Sequence, residues 1–186
     1  MCLCLSMPRA FSTATRFPAL TAALLTVGAL ACTSAREERP LTAQAFIEAG
    51  DGHNVRGMAR FTETQHGLFI ELDVVSGPAG FHAVQINDCG DCAALAEGGH
   101  FNPEHHAHGE RGAPAGHAGD LGNIEIAANG LGRIEFVTER LTLRAGEHSI
   151  VGRTIAIDER RDQPLVQPWG DSGAPIACGV IRLDVR

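Results

Sequence analysis

An all-β domain, a sandwich or Greek-key barrel of seven or eight short strands, is what this sequence predicts, and three observations predict it. Apolar residues alternate with polar ones over short stretches; turn signals separate those stretches; aromatics are scarce (5%, one Trp, no Tyr) while glycine is abundant at 22 residues. The first alternating stretch, residues 43–49, is closed by Gly50-Asp51-Gly52. Residues 55–62 form the second and stop before Gln65-His66-Gly67, after which 67–76 runs as far as Gly77-Pro78. Residues 81–86 open behind that turn. A hairpin follows, 122–127 and 133–138 around Ala128-Asn129-Gly130. Residues 149–157 and 176–185 complete the strands, and neither a helical stripe nor an internal repeat competes with them.

The chain has 186 residues, 44% hydrophobic and 20% charged, which suits one folded domain rather than a disordered polymer. All 15 basic residues are arginine, the net charge is -7 and no basic cluster occurs, so no nucleic-acid partner is expected. Arg9 and Arg16 precede the uncharged stretch 17–31, and Cys32 opens the polar run TSAREERP. Basic, apolar and small residues in that order predict a removable secretory signal over 1–31, too short for the roughly 18 apolar residues of a membrane span. Ala29-Leu30-Ala31-Cys32 resembles the lipobox of bacterial lipoproteins, with Ala29 where leucine is usual. The resemblance implies acylation of Cys32; ordinary cleavage after Ala31 is the alternative. The expected organisation is a signal over 1–31, a tether over 32–40 and a domain over 41–186. Export to the bacterial periplasm or cell envelope follows, with membrane contact only through Cys32.

Between Asn87 and Leu121 the alternation dissolves into Gly, Pro, His, Asp and Cys, and so long a loop inside a small domain needs a metal or a disulfide to order it. Five of the nine histidines fall between positions 100 and 117. His100, His108, His117 and Asp120 supply three imidazoles and a carboxylate, a closed set for tetrahedral zinc. His105 and His106 lie close enough in sequence to replace His108, and spacing alone also allows a solvated histidine-rich loop.

The segments GFHAVQIN (80–87), GDC (90–92), GGHFNP (98–103), HAGDLGNI (117–124), HSIVGRT (148–154) and GDSGAPIACGVI (170–181) together resemble the copper/zinc superoxide dismutases, particularly their secreted bacterial branch. The resemblance implies an eight-stranded Greek-key β-sandwich and zinc held by His100, His108, His117 and Asp120. Asp162 falls where the family has a carboxylate that accepts from a zinc-site histidine. Cys92 is implied to pair with Cys178, which leaves Cys89 as a spare thiol; Cys89-Gly90-Asp91-Cys92 has the C-x-x-C form but no thioredoxin-like setting.

The departures from the family pattern concern copper. Gln85 and Asn87 stand where two alternating histidines are usual, Asp158 stands at a third ligand position, and Pro175 replaces the arginine that guides superoxide. Of the copper imidazoles only His100 survives, and His82 reads as a packed structural histidine out of step with the ligand positions. Copper is therefore not expected, and the free nitrogen of His100 is expected to carry a proton and donate to Asp158 or Gln85. The reading is a zinc-binding envelope protein with a structural or binding role and no dismutase activity. Its alternatives are an active superoxide dismutase, or an oxygen-rich site at Gln85, Asn87, His100 and Asp158 for a harder ion such as manganese.

Overall fold

The structure is a computed structural model and describes residues 39–50 and 52–185, with backbone only at 96 and 97. The expected signal segment, Cys32 and most of the tether lie outside the described residues. Among the described residues nine strands form in chain order: β1 (Thr42–Ala49), β2 (Arg56–Thr64), β3 (Gly67–Ser76), β4 (Gly80–Asn87), β5 (Asp120–Ile126), β6 (Gly132–Thr138), β7 (Thr154–Asp158), β8 (Pro175–Val180) and β9 (Arg182–Leu183). All pairings are antiparallel, in the order β2-β3-β6-β5-β4-β7-β8-β1. β1 also pairs with β2 from Thr42↔Thr62 to Glu48↔Arg56, so eight strands close on themselves, and the two-residue β9 adds to the end of β1. The β3-to-β4 connection passes over the β5-β6 hairpin, and the β6-to-β7 connection passes back over β5 and β4, which is Greek-key topology.

Alternation directs one face of each strand inward. Ala43, Ala45 and Ile47 of β1, Ala59 and Phe61 of β2, and Leu68, Ile70, Leu72 and Val74 of β3 are buried together with Val84, Ile86, Ile124, Ile126, Ile155 and Ile157. β4 and β7 break the half-buried pattern: His82 to Asn87 and all five residues of β7 are buried. Their inner faces meet the core, while their outer faces lie under loops. A short 3-10 helix, Cys92–Glu97, starts at an Asp91 side chain that accepts from the Ala93 N–H, and its Leu95 packs on Ala156 and Cys178. The polar residues of the outer face, Gln85, Asn87 and Asp158, are buried as well, with Ser172 bonded to Asp158.

Two strand ends differ from the sequence expectation. Residues 149–153 do not continue β7: Ser149 makes only an isolated bridge to Thr142, Val151 and Gly152 form a turn in which Gly152 has a positive φ of 82°, and β7 starts only at Thr154. The last stretch divides into β8 and β9, since Ile181 turns inward to the core and the chain then leaves β7 for β1.

Candidate metal centre

His100 is fixed from both sides. It forms a bridge with Asn87, and the next residue, Phe101, is buried with its N–H donating to Ile86 O at 2.8 Å. Gly119 N–H donates to Phe101 O at 2.8 Å and Ile86 N–H to Gly119 O at 2.9 Å, a packing so close that a Cβ on Gly119 would collide with the Ile86 carbonyl. Asp120 begins β5 beside it. His117 lies one turn before Asp120 and its N–H donates to Asp120 Oδ2 at 3.0 Å, as does the Gly109 N–H. The Gln167 amide clasps the backbone of His108, accepting from its N–H and donating to its carbonyl, both at 2.9 Å.

These supports bring four buried side chains together, with one donor atom from each lying within 4.8 Å of the others. Asp120 Oδ1 is 2.7 Å from His100 Nδ1 and 3.1 Å from His117 Nδ1; Asp120 Oδ2 is 3.1 Å from His108 Nδ1. The Nδ1 atoms of His100 and His117 are 3.4 Å apart, and His108 Nδ1 is buried without a hydrogen-bond partner. A tetrahedral ion with bonds of about 2.0–2.1 Å sets its donors about 3.3–3.4 Å apart; the 3.1 and 3.4 Å spacings are close to that, and the 2.7 Å one is a hydrogen bond that would open around the ion. Burial alone would raise the Asp120 carboxyl, but hydrogen bonds from His100 and His117 outweigh it and hold the group well below the usual carboxylate range. Asp162 lies 2.7 Å from His108 Nε2 and fixes which ring nitrogen faces the cluster; burial pushes its carboxyl up and His108 opposes the shift. His105 is exposed with φ 56° and His106 is tied through its backbone to the Asn102 side chain, and neither belongs to the group of four. Cys92 and Cys178 are disulfide-bonded and Cys89 is a free thiol.

Gln85, Asn87 and Asp158 share the outer face beside His100. Gln85 Nε2 donates to Asp158 Oδ2 at 2.7 Å and Ser172 Oγ donates to the same oxygen at 2.6 Å. Asp158 Oδ1 and Asn87 Nδ2 are buried without partners. The expected direct bond from His100 to Asp158 or Gln85 is not formed: the His100 ring hydrogen bonds all run through Nδ1, and Asp158 Oδ1 is left without a partner. Pro175 faces Asp158 across the β7-β8 pairing. His82 points to the other side of β4, with its ring between the carbonyls of Asp158 (2.9 Å) and Pro78 (3.1 Å).

Burial raises the Asp158 carboxyl from 3.8 to about 6, against the lowering effects of Ser172, His100 and Gln85. The folded state therefore takes up this proton before the unfolded chain does. The resulting stabilisation is complete below the unfolded value and is lost as pH rises through about 6. In metal-free protein, the stability of wild type relative to Asp158→Asn is expected to fall by up to about 3 kcal/mol between about pH 4 and about pH 7, read from urea unfolding at each pH.

Several supports carry no motif that announces them. Trp169 lies over His100 and His117, with ring centroids 5.1 and 5.9 Å away. Arg140 ties the histidine loop down, bonding Glu104 at 2.7 Å and the carbonyls of Ala113 and Gly116 at 2.9 and 2.7 Å. Gly170, at φ 68°, has no room for a side chain: a Cβ there would overlap Asp162 Oδ1 and lie 2.6 Å from His108 Nε2. Gly170→Ala is expected to part His108 from Asp162 and weaken metal binding about 10- to 100-fold, measured by competition with a chromogenic chelator.

A closed antiparallel Greek-key barrel carrying a buried three-histidine, one-aspartate cluster on its outer face defines a class of metal-binding β proteins. The copper/zinc superoxide dismutase (SODC) family pattern matches residues 55–181, and the chain belongs to that family. It is 35% identical over 152 residues to "Superoxide dismutase [Cu-Zn] 3" of Arabidopsis thaliana, covering 77% of this chain and 91% of that one. It is 35% identical over 128 residues to "Extracellular superoxide dismutase [Cu-Zn]" of Caenorhabditis elegans, covering 63% and 57%. Among solved structures, the clock protein EA4 superposes with a TM-score of 0.69 at 31% identity, covering 77% of this chain and 94% of that one.

Proposed function

We propose that this chain is an exported, zinc-structured member of the family that has lost its copper centre and with it dismutation, and that it serves a structural or binding role in the cell envelope. The hydrogen-bonded group around Asp158 is the observation that carries this reading. Copper cycling between two oxidation states needs nitrogen donors that suit both. At the positions where the resemblance puts copper ligands, this chain has an amide whose N–H is turned toward a carboxylate, a second amide and that carboxylate. Such a set does not fit copper. The neighbouring cluster does fit zinc, in donor type, in donor spacing and in the unpartnered His108 Nδ1. His100, His108, His117 and Asp120 would hold that ion, and it would supply the cross-link that fixes the loop against the barrel.

Metal analysis of the purified protein with a dismutase assay tests this reading: about one zinc per chain, no retained copper and no turnover support it. The competing reading is an active superoxide dismutase, favoured by 35% identity to a protein of that name over most of both chains. Retained copper with turnover would establish it, and retained manganese would establish the oxygen-rich site.

Export and anchoring rest on residues 1–32, supported by a disulfide of the kind that persists in oxidising compartments and by a relative named as extracellular. Mass spectrometry of the N-terminal peptide from membranes is expected to show an acylated Cys32. An unmodified Cys32 at a mature N-terminus would mean secretion without an anchor.

A further inference from the structure

We propose that Asp158 is a positioning residue of the zinc centre, acting on His100 through a single water that also takes the Asn87 amide. This rests on the zinc reading above. Asp158 is 1% exposed, and its Oδ2 is held by Gln85 and Ser172, so the carboxylate is fixed in direction with Oδ1 buried and without a protein partner. Asn87 Nδ2 is the second buried polar atom here without a partner. The two belong to one place. Gln85, bonded to Asp158, and Asn87, bridged to His100, are two apart on β4 and share its outer face, and Trp169, whose ring lies 5.1 Å from that of His100, has its carbonyl 3.3 Å from the Ser172 hydroxyl that bonds Asp158.

An orphaned donor and an orphaned acceptor each cost about 1–3 kcal/mol when buried, so a polar molecule that meets both is strongly favoured. His100 turns Nδ1 to the metal cluster, which leaves Nε2–H as its one further donor. A water accepting from His100 Nε2–H and Asn87 Nδ2–H and donating to Asp158 Oδ1 satisfies every group. A cation in the same place would have to displace the His100 Nε2 proton, which a water does not. The carboxylate then does for His100 what Asp162 does for His108: it orients the ring and makes Nδ1 a more basic ligand.

The test uses zinc-loaded, 15N-labelled mature protein, with zinc affinity from chelator competition and ring N–H protons from NMR. Wild type is expected to show slowly exchanging ring N–H protons from His100 and His108, beside that of buried His82, which lies on the other side of β4 and serves as the internal reference. Asp158→Asn is expected to weaken zinc binding about tenfold or more and to shift and speed exchange of the His100 proton alone, while Asp171→Asn, which neutralises an exposed carboxyl held by Arg160, changes affinity less than about threefold. Asn87→Ala is the second variant, expected to speed exchange of the same proton. Unchanged affinity and an unmoved His100 proton in Asp158→Asn would overturn the proposal while leaving the zinc reading intact. Equal losses in Asp158→Asn and Asp171→Asn, with the His108 ring proton disturbed as much as that of His100, would also overturn it, because loss of any nearby negative charge would then suffice. Wild-type protein that binds no zinc would sink both readings together.

Discussion

Protein loaded with zinc and offered copper is expected to dismutate superoxide no faster than the same concentration of free copper, and the copper is expected to wash out on desalting. Zinc has one accessible oxidation state, so the three-histidine, one-aspartate cluster cannot pass electrons. The second site would have to do so. Its one imidazole, His100, is already turned to the cluster, and the Gln85 N–H and the Ser172 hydroxyl point at Asp158 rather than offering lone pairs to a metal. Substrate also arrives unaided: Pro175 carries no charge, and buried Asp158 repels an anion. The quadruple variant Gln85→His, Asn87→His, Asp158→His and Pro175→Arg is expected to retain copper and gain at least about 10²-fold in turnover, the scale on which preorganised groups at a reacting centre act. Chelator-resistant wild-type turnover near the diffusional range of about 10⁸ to 10⁹ M⁻¹s⁻¹ would reject the non-enzyme reading.

Removal of zinc is expected to lower the melting temperature by about 8–16 °C. An ion present at about a thousand times its dissociation constant stabilises the folded state by about 4 kcal/mol. A domain of this size responds by about 2–4 °C per kcal/mol. The metal-free cluster keeps a buried His108 nitrogen unpartnered and an Asp120 carboxylate dependent on its histidines. Loss is expected to be local. Arg140, the Phe101 and Gly119 backbone bonds and the Cys92–Cys178 bridge still hold the loop, so the barrel persists while cleavage by trypsin after exposed Arg111 accelerates. Chelation that changes neither melting nor cleavage would remove zinc from the account.

The sequence makes the barrel legible because eight stretches of alternation mark eight faces of one core. Ile70 and Leu72 can only point inward together, and the same period puts Gln85 and Asn87 on one side of β4 with His82 on the other. Periodicity does not reveal that this outer side is buried, since the cover comes from loops remote in sequence, such as the Leu95 turn and the segment carrying Ser172. The metal cluster is legible chiefly through the family resemblance, since spacing alone leaves open a solvated histidine-rich loop and His105 or His106 in place of His108. Its supports are not, because Gln167, Arg140 and Gly170 act by backbone clasp, carbonyl bonding and absence of bulk, none of which leaves a spacing to read. The strand ends at Gly152 and Ile181 are missed because apolar alternation continues through a turn that only backbone geometry reveals.

Core and chemistry share strands here but not faces. Val84 and Ile86 look inward while Gln85 and Asn87 look outward, so the two sets of side chains answer to separate demands. Exchange of an outward group leaves the inward contacts in place, so a lineage can replace its reactive groups one at a time without repacking the core. The barrel works as a chassis: what is mounted on its outer wall can be stripped, kept in part or refitted, and the vehicle still assembles.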